Sequence, residues 1–297
     1  MNPHQERAAF ALFVGAVCIG LAPILVRLAD VGLTAAAFWR AALALPALVA
    51  LRLRVPAAAP HTAAADRRAL WLAGAFFGAD LAVWHQSLGH TSVANATLLA
   101  NLAPVFVALA LWQLFGERYG VRFWLGLAAA LAGAGLLVAD SLSIGLRDAF
   151  GDGLAAISAV FYAGYQIVVA RVRNRCDTIT VMLRTSFVTA LLLLPVALAL
   201  HEALWPQTLR GWSVVFGLAL VSHVAGQGLI AYALAELPTA FASVGLLVQP
   251  LAATAFAWAL LGERFGIEQA LGGVVVLTGI VLCRLATSPR AATMELN

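Results

Sequence analysis

Ten apolar stretches, each about 20 residues long, fill most of this 297-residue chain. A helix of that length crosses the roughly 30 Å of hydrocarbon in a bilayer, so each stretch is a candidate transmembrane helix. Only short connectors separate the stretches, and the sequence therefore predicts an all-α integral membrane protein without an appended soluble domain. The predicted spans are 8–28, 34–53, 69–89, 92–115, 122–140, 153–171, 179–200, 212–235, 239–261 and 266–285.

Arginine placement predicts how these spans are oriented. The chain has 18 basic residues, and none of them is lysine. If the N-terminus is cytoplasmic, twelve arginines lie in cytoplasmic connectors and tails, four lie on the opposite side and two lie within spans. Because cytoplasmic connectors are enriched in basic residues, we expect both termini in the cytoplasm. The arginines form no stripe with interleaved aromatic residues, so the net charge of +4 does not indicate nucleic-acid binding.

The second half of the chain repeats the first. The segment "LFGERYG" returns 146 residues later as "LLGERFG", and at an offset of 144 Arg40 falls on Arg184. Charged residues are rare in this chain, so these matches indicate an internal duplication with five spans in each half. Further matched pairs are Pro104 with Pro250, Gly120 with Gly266, Gly126 with Gly272, Gly133 with Gly279, Gly20 with Gly164 and Arg27 with Arg171.

Five spans per half is an odd number, which constrains the topology. The second half must enter the membrane from the side opposite to the first, so the repeats are predicted to be inverted. Their predicted bounds are 1–142 and 150–290. Five spans per half can bury their polar faces within one chain, so a monomer is compatible with this arrangement, as is a dimer.

Eight residues are predicted to have structural or gating roles. We expect each Gly-Glu-Arg turn to join two spans, its carboxylate accepting hydrogen bonds from the next helix or from an arginine. A solvated turn is the alternative. The two in-span arginines are expected to share a structural or gating role, and pairing of one with a substrate carboxylate is the alternative. The eight residues are Arg40, Arg184, Glu117, Arg118, Glu263, Arg264, Pro104 and Pro250.

These features together resemble the drug/metabolite transporter superfamily, EamA type. The resemblance rests on ten spans, a duplicated half, an arginine early in the second helix of each half, and the pattern P…GER…G…G after the fourth helix of each half. It implies a ten-helix carrier with a central cavity between inverted repeats, which exports small metabolites across the bacterial inner membrane. Within this superfamily the chain resembles the YddG-type exporters of aromatic amino acids in its length and general sequence character.

Recognisable catalytic motifs are missing from the sequence. Without lysine there is no Walker A loop and no Schiff-base residue. The sequence also lacks H-E-x-x-H and G-x-S-x-G. We therefore predict that the protein is not an enzyme and uses no cofactor or metal ion. A membrane-embedded enzyme acting on lipid-linked substrates remains the alternative from another class.

Polar residues within the spans mark a candidate substrate site. The third and eighth spans are unusually polar, and the sixth has a polar stripe at helical spacing. Because unpaired polar side chains are costly in hydrocarbon, we expect these residues to face a water-accessible cavity. The ten candidate residues are Asp80, Trp84, His85, Asn101, Tyr162, Tyr165, Gln166, His223, Gln227 and Gln249.

Some of these candidates have a structural alternative. Asp80 is either a site for a substrate amine or a proton, or an aspartate bonded to a neighbouring helix. The two histidines, His85 and His223, either line the cavity or only join helices by hydrogen bonds. Asn101 and Gln249 lie close to prolines, and either satisfy the backbone carbonyls that proline frees or face the substrate.

The predicted function is secondary transport by alternating access. Aromatic faces, amide groups and one or two ionisable groups suit a zwitterionic solute, so amino acids, including aromatic and neutral ones, are the expected substrates. Export of cationic drugs or other amphipathic compounds is the alternative, and it predicts a greater need for Asp80 than for Arg40. The expected partners are the small-molecule substrate and the lipid bilayer.

Overall fold

The computed structural model describes residues 2–55, 64–139, 148–261 and 266–287. Within these ranges the chain forms no β-strand, and its helical pieces join across short breaks into ten long helices, which confirms the predicted all-α class and the number of helical segments. The helices are α1 (Pro3–Leu28), α2 (Leu33–Arg54), α3 (Ala64–His90), α4 (Val93–Phe115), α5 (Val121–Leu137), α6 (Ala149–Val172), α7 (Thr178–Ala199), α8 (Leu209–Ala233), α9 (Thr239–Leu260) and α10 (Ile267–Ala286).

Most of these helices can cross a membrane by length and composition. Eight of them are long and apolar enough to do so. Helix α5 is shorter, with 17 residues, and α3 has 27 residues but carries polar side chains that lower its hydropathy. The chain is therefore a multi-pass membrane protein whose third helix is its most polar.

Helices α5 and α10 pack against each other through glycines that occupy matching positions in the two halves of the sequence. A Cβ added at Gly126 would lie 2.8 Å from Gly279 O, and one at Gly133 would lie 2.7 Å from Gly272 O. The earlier glycine of one helix therefore faces the later glycine of the other, so the two helices run antiparallel. Small residues allow membrane helices to approach this closely. Inverted halves require this antiparallel orientation of their fifth helices.

Helices α2 and α7 are also antiparallel and are joined at both ends. At one end, Arg52 of α2 forms an ion pair with Asp177, the N-cap residue of α7, and donates a hydrogen bond to Thr180 Oγ1 at 2.8 Å. At the other end, Trp39 Nε1 donates to the carbonyl of Leu204 at 2.6 Å, beyond the end of α7. The second helices of the two halves thus pack with opposite directions.

Connectors from both halves meet at one end of the bundle. The Asp30 carboxylate, after α1, accepts hydrogen bonds from Thr208 N and Oγ1, just before α8. Thr91, after α3, donates to Asp152 in the first turn of α6 at 2.7 Å. We call this end the Asp30 face and the opposite end, where Arg52 meets Asp177, the Asp177 face.

Gln86 connects the helices at the Asp30 face. Its Nε2 donates to Thr34 Oγ1 at 2.8 Å and to Glu202 Oε1 at 2.7 Å. The other oxygen of Glu202 accepts from Ala35 N–H in the first turn of α2, where the helix dipole favours a carboxylate. These bonds join α2, α3 and the connector after α7, so they hold the two halves together at this face.

The two in-span arginines do not occupy equivalent positions, contrary to the prediction. The connector before α7 is one residue longer than the connector before α2. As a result, the sequence separation between the helix starts, Leu33 and Thr178, is one residue greater than the separation between Arg40 and Arg184. When the helix starts are matched, Arg40 corresponds to Thr185, and both are buried, whereas Arg184 is exposed. A shift of one residue turns a helical side chain by about 100° to another face, which explains the difference.

The Gly-Glu-Arg turn after α4 also differs from the prediction. The glycine that ends α4 is left-handed, with φ of 73°, a conformation that favours glycine. Glu117 is exposed and accepts a hydrogen bond from the Tyr119 hydroxyl at 2.5 Å, and the N-cap of α5 has no side-chain hydrogen bond. Glu117 therefore does not cap the next helix, and Arg118 is exposed as well. The counterparts Glu263 and Arg264 lie outside the described residues.

We expect Asp177→Ala to destabilise the protein by about 1–2 kcal/mol at neutral pH, because it removes the N-cap of α7 as well as the Arg52 ion pair. Burial works to raise the pKa of Asp177, but hydrogen bonds from Thr180 and Arg52 outweigh it and hold the pKa below its ordinary value. A carboxyl whose pKa is lower in the folded state stabilises that state above the ordinary carboxyl pKa, and this contribution is lost as the pH falls through the folded pKa.

Thermal unfolding in detergent at neutral and at acidic pH tests this expectation. The difference between the wild type and Asp177→Ala should narrow as the solution is acidified. Asp177→Asn is the matched control, because its amide oxygen can still accept from the Thr180 N–H while the charge is removed. Equal stability of the wild type and the alanine variant at neutral pH would contradict the assigned role.

Candidate functional site

A cavity lies within the bundle and is lined by helices from both halves: α1 to α4 from the first half, and α6, α8 and α9 from the second. Such a position between repeats is where secondary transporters hold their substrates. The structure brings seven of the ten predicted site residues to this cavity, and it adds Arg40 and Pro104 from the set predicted to be structural. The seven are Asp80, Trp84, Asn101, Tyr162, Gln166, Gln227 and Gln249.

Two opposite charges face this cavity. Asp80 of α3 is 7% exposed and Arg40 of α2 is 3% exposed, so both are nearly removed from the surrounding solvent. They attract each other electrostatically, but among the described residues neither forms a direct ion pair. Asp80 Oδ1 accepts a hydrogen bond from Ser158 Oγ of α6 at 2.5 Å. The two charges thus remain available to a solute that enters between them.

Aromatic rings form one side of the site. The rings of Tyr162 and Tyr165 are stacked, with centroids 5.9 Å apart and an interplanar angle of 8°. Phe77 of α3 lies 4.7 Å from the Tyr165 ring and 6.4 Å from the Tyr162 ring. Phe77, Tyr162 and Trp84 line the cavity, whereas Tyr165 is fully buried behind them. These faces can pack against an aromatic or apolar part of a substrate.

Several neutral polar groups near the cavity lack partners. In the described part of the chain, both side-chain polar atoms of Gln166 and of Gln227 have no hydrogen-bond partner, and neither does Gln249 Nε2. The hydroxyls of Tyr162 and Tyr165 lie near Gln227 without reaching hydrogen-bond geometry. A buried polar group without a partner costs about 1–3 kcal/mol, so this cluster is expensive unless water or a solute satisfies it.

Helix interruptions surround the cavity. Helix α1 is interrupted at Leu21, and α4 and α9 at 101–102 and 246–247. Proline follows each of the last two breaks within a single helical turn, and interrupted helices are typical of transporter sites. Asn101 lines the cavity, and its Nδ2 donates at 2.7 Å to the carbonyl of Thr97, which also accepts the backbone N–H of Asn101. The carbonyl that Pro104 frees is that of Ala100, so this hydrogen bond does not satisfy it.

Helix α8 contributes through a π-helical stretch, Leu218–Gln227. Such stretches are rare and frequently occur at functional sites. The stretch ends at Gln227, which lines the cavity, and it also contains Ser222 and His223. The local change of helical period therefore coincides with the polar residues that distinguish this span in the sequence.

The two histidines join helices and are not among the residues that line the cavity. His85 is fully buried, and its Nδ1 lies 2.9 Å from the carbonyl of Leu33 at the start of α2. His223 Nε2 lies 2.7 Å from Ser186 Oγ of α7. In the described part of the chain, no group of three or more His, Cys, Asp or Glu side chains is placed to hold a metal ion.

Two residues that line this cavity, Arg40 and Phe77, are not among the ten predicted to bind the substrate. The match between Arg40 and Arg184 in the sequence favours a structural role for Arg40, but that match is one residue out of register with the helices. Phe77 had no distinguishing signal, since an aromatic residue in an apolar helix resembles ordinary core packing. Ser158 belongs to the polar stripe of the sixth span, at helical spacing from Tyr162, and it lines the cavity as that stripe predicts.

Comparisons with known proteins agree with this architecture. The profile of the EamA-like transporter family matches residues 6–139 and 149–285. The uncharacterized transporter YwfM of Bacillus subtilis is 25% identical over 201 residues, which cover 67% of each chain. The pseudopaline exporter CntI of Pseudomonas aeruginosa is 23% identical over 202 residues, covering 68% of this chain and 69% of that protein. A solved crystal structure has the same fold, with a TM-score of 0.78 and 18% identity over 95% of this chain and 99% of that one.

Proposed function

The chain belongs to the EamA-like transporter family of the drug/metabolite transporter superfamily, and from that premise we propose that it exports neutral amino acids, aromatic ones included, across the bacterial inner membrane. As a member of this family it is a membrane transporter. Export is supported by the relative that is named a pseudopaline exporter. The proposed orientation, with both termini in the cytoplasm, follows from the distribution of arginines.

The opposed charges of Arg40 and Asp80 carry this proposal. A neutral amino acid presents a carboxylate and an ammonium group, and each needs an opposite charge when it leaves water. Arg40 suits the carboxylate, because a guanidinium can bind both carboxylate oxygens. Asp80, already held by Ser158, suits the ammonium. The substrate's two charges then complete two ion pairs, and the aromatic side of the cavity packs against its side chain.

We assign the transport cycle to alternating access. In this mechanism one five-helix half rocks against the other, and the cavity opens to one side of the membrane at a time. The proposed halves are residues 1–142 and 150–290, in inverted orientation. Ion pairs and hydrogen bonds at the Asp30 and Asp177 faces cross between the halves, so they are the contacts that such a motion must break and reform.

Export of cationic amphipathic compounds is a second candidate, because Asp80 alone could hold a cation against the aromatic side of the cavity. This candidate leaves Arg40 facing a ligand of like charge, which is unfavourable in a site of low dielectric constant. The two candidates therefore differ in what they require of Arg40.

Uptake of radiolabelled tryptophan into proteoliposomes that contain the purified protein tests the proposal. We expect saturable uptake that unlabelled neutral amino acids compete for and cationic dyes do not. Empty liposomes measure leakage. Absence of tryptophan uptake together with saturable movement of a dye would favour the second candidate instead.

A further inference from the structure

We propose that the cavity has a second subsite, formed by the side chains of Gln166 and Gln227, that takes a neutral hydrogen-bonding group on the far end of the substrate. This inference rests on the proposed function, in which Arg40 and Asp80 hold the substrate's carboxylate and ammonium. It narrows the substrate class to neutral amino acids whose side chains carry a hydroxyl, an amide or an indole N–H. Purely apolar side chains and charged ones are disfavoured.

The first argument is depth along the helices. Arg40 lies about two helical turns after Leu33, where α2 starts, and Asp80 lies about three turns before His90, where α3 ends. Both of these helix ends are at the Asp30 face. At about 5.4 Å per turn, Arg40 and Asp80 therefore lie roughly 10–15 Å from the Asp30 face, measured along the helices. We call this depth the charged level.

The two glutamines lie at a different level. Gln166 and Gln227 each lie about five turns after the start of their helices, α6 and α8, and both starts are at the Asp30 face. Their level is therefore about 25 Å deep, which is roughly 12 Å beyond the charged level. This distance separates positions along the helices. The polar groups themselves are closer together, because the side chains at both levels extend into the cavity, and a long amino-acid side chain can span the remaining distance.

The second argument is the lack of partners at the deeper level. Gln166 is fully buried and Gln227 is 1% exposed, and the four polar atoms at the ends of their side chains lack hydrogen-bond partners within the described ranges. Both side chains line the cavity. A buried amide that lines a cavity and has no partner within the protein costs free energy unless water or a solute satisfies it, so a solute that bonds to it gains binding free energy there.

The third argument concerns charge. The polar groups at the deeper level are amides and phenols, and the two charged residues that line the cavity, Arg40 and Asp80, lie at the other level. A lysine or glutamate side chain would therefore bring a buried charge without an opposite partner, which is strongly unfavourable. A neutral donor or acceptor instead meets amides that can both donate and accept. The stacked rings of Tyr162 and Tyr165 lie beside this path and suit an aromatic ring on the way.

Competition in the tryptophan uptake assay tests the subsite with pairs of unlabelled amino acids. Tyrosine and phenylalanine differ by one hydroxyl, and glutamine and methionine differ by an amide at similar length. We expect tyrosine to compete at least about tenfold better than phenylalanine, and glutamine better than methionine, because a site built to bond a polar group rejects the analogue that lacks it.

The variants Gln166→Met and Gln227→Met remove the amides and keep a similar side-chain volume. We expect them to reduce the preference for tyrosine over phenylalanine toward unity while phenylalanine still competes. Gln207→Met is the matched control, because Gln207 is an exposed glutamine in the connector before α8. Thermal unfolding without substrate is a second readout, and both cavity variants should unfold at a higher temperature than the wild type because an unpaired amide has been removed.

The outcomes separate this inference from the proposed function. If no amino acid competes with tryptophan, the proposed function itself fails. If amino acids compete but tyrosine equals phenylalanine in the wild type, or if the two variants keep the wild-type preference, the second subsite is wrong and the charged site stands. A lower unfolding temperature for both variants would also overturn the inference, since it would mean that the amides already have partners.

Discussion

Replacement of Asp80 by asparagine is expected to weaken apparent tryptophan binding by at least about 30-fold, since loss of one partner from a buried charge pair costs about 2–5 kcal/mol. The substitution keeps an oxygen that can accept the Ser158 hydroxyl, so the local contact between α3 and α6 is preserved. What is lost is the negative charge that faces the cavity. The substrate ammonium then has no partner at this buried position, while Arg40 still pairs with the substrate carboxylate.

The variant Arg40→Gln, assayed together with Asp80→Asn, decides between the two candidate functions. If the substrate is a zwitterion, both variants lose tryptophan uptake to a similar extent, because each removes one of two required charges. If the substrate is a cation, Asp80→Asn abolishes transport of a cationic dye while Arg40→Gln retains it. Glu268→Gln is the matched control, because Glu268 is an exposed carboxylate in the first turn of α10, away from the cavity.

The measurement is the concentration dependence of uptake by proteoliposomes with equal amounts of each protein. Unfolding temperatures in detergent confirm that the variants fold. Tryptophan uptake by Asp80→Asn at the wild-type apparent affinity would show that Asp80 does not bind the substrate, and the charged site would have to be abandoned.

The helices of this protein could be predicted from the sequence because the bilayer imposes a strong and simple requirement. Every span must be apolar for about 20 residues, and the short connectors between spans cannot hide that pattern. The same requirement identified the third and eighth helices as unusual, since polar residues such as Asp80 and Gln227 persist in hydrocarbon only for a reason.

The positions of side chains around the cavity were harder to predict, because they depend on register. One additional residue before α7 was enough to make Arg40 correspond to Thr185 instead of Arg184. Sequence matching favours identical charged residues, while packing follows the helical face, and the two criteria disagree here by one position. Glu117 shows a similar limit, since a turn motif that occurs twice in the chain does not specify where an exposed carboxylate points.

The contact between α5 and α10 is symmetric with respect to the internal duplication of the sequence. Gly126 faces Gly279 and Gly133 faces Gly272, while the repeat pairs Gly126 with Gly272 and Gly133 with Gly279. Each contact therefore becomes the other when the two halves are exchanged. This is the pattern of an interface around a two-fold axis, in which residue i meets j and j meets i. A change at either member of a repeat pair should then have the same effect.

Gly279→Ala and Gly133→Ala are therefore both expected to lower the unfolding temperature by several degrees. A Cβ at Gly279 would lie 2.5 Å from Ala130 N and from Gly126 O, and one at Gly133 would lie 2.6 Å from Val276 N. These neighbours are backbone atoms, so the helices must separate, and overpacking of this kind costs about 1–3 kcal/mol. For a chain of this size that corresponds to roughly 2–4 °C per kcal/mol.

Gly135→Ala in α5 is the matched control, because a Cβ there meets no atom within 4 Å. Alanine is the better helix former, so this variant should be neutral or more stable by up to about 1 kcal/mol. The expected effect of alanine on stability therefore has opposite signs at Gly133 and Gly135, two nearby glycines of α5. Thermal unfolding of the three variants in one detergent measures it. Equal stability of Gly133→Ala and Gly135→Ala would mean that α5 and α10 do not approach through these glycines. A large loss at only one of Gly133 and Gly279 would mean that the two halves are not equivalent at this interface.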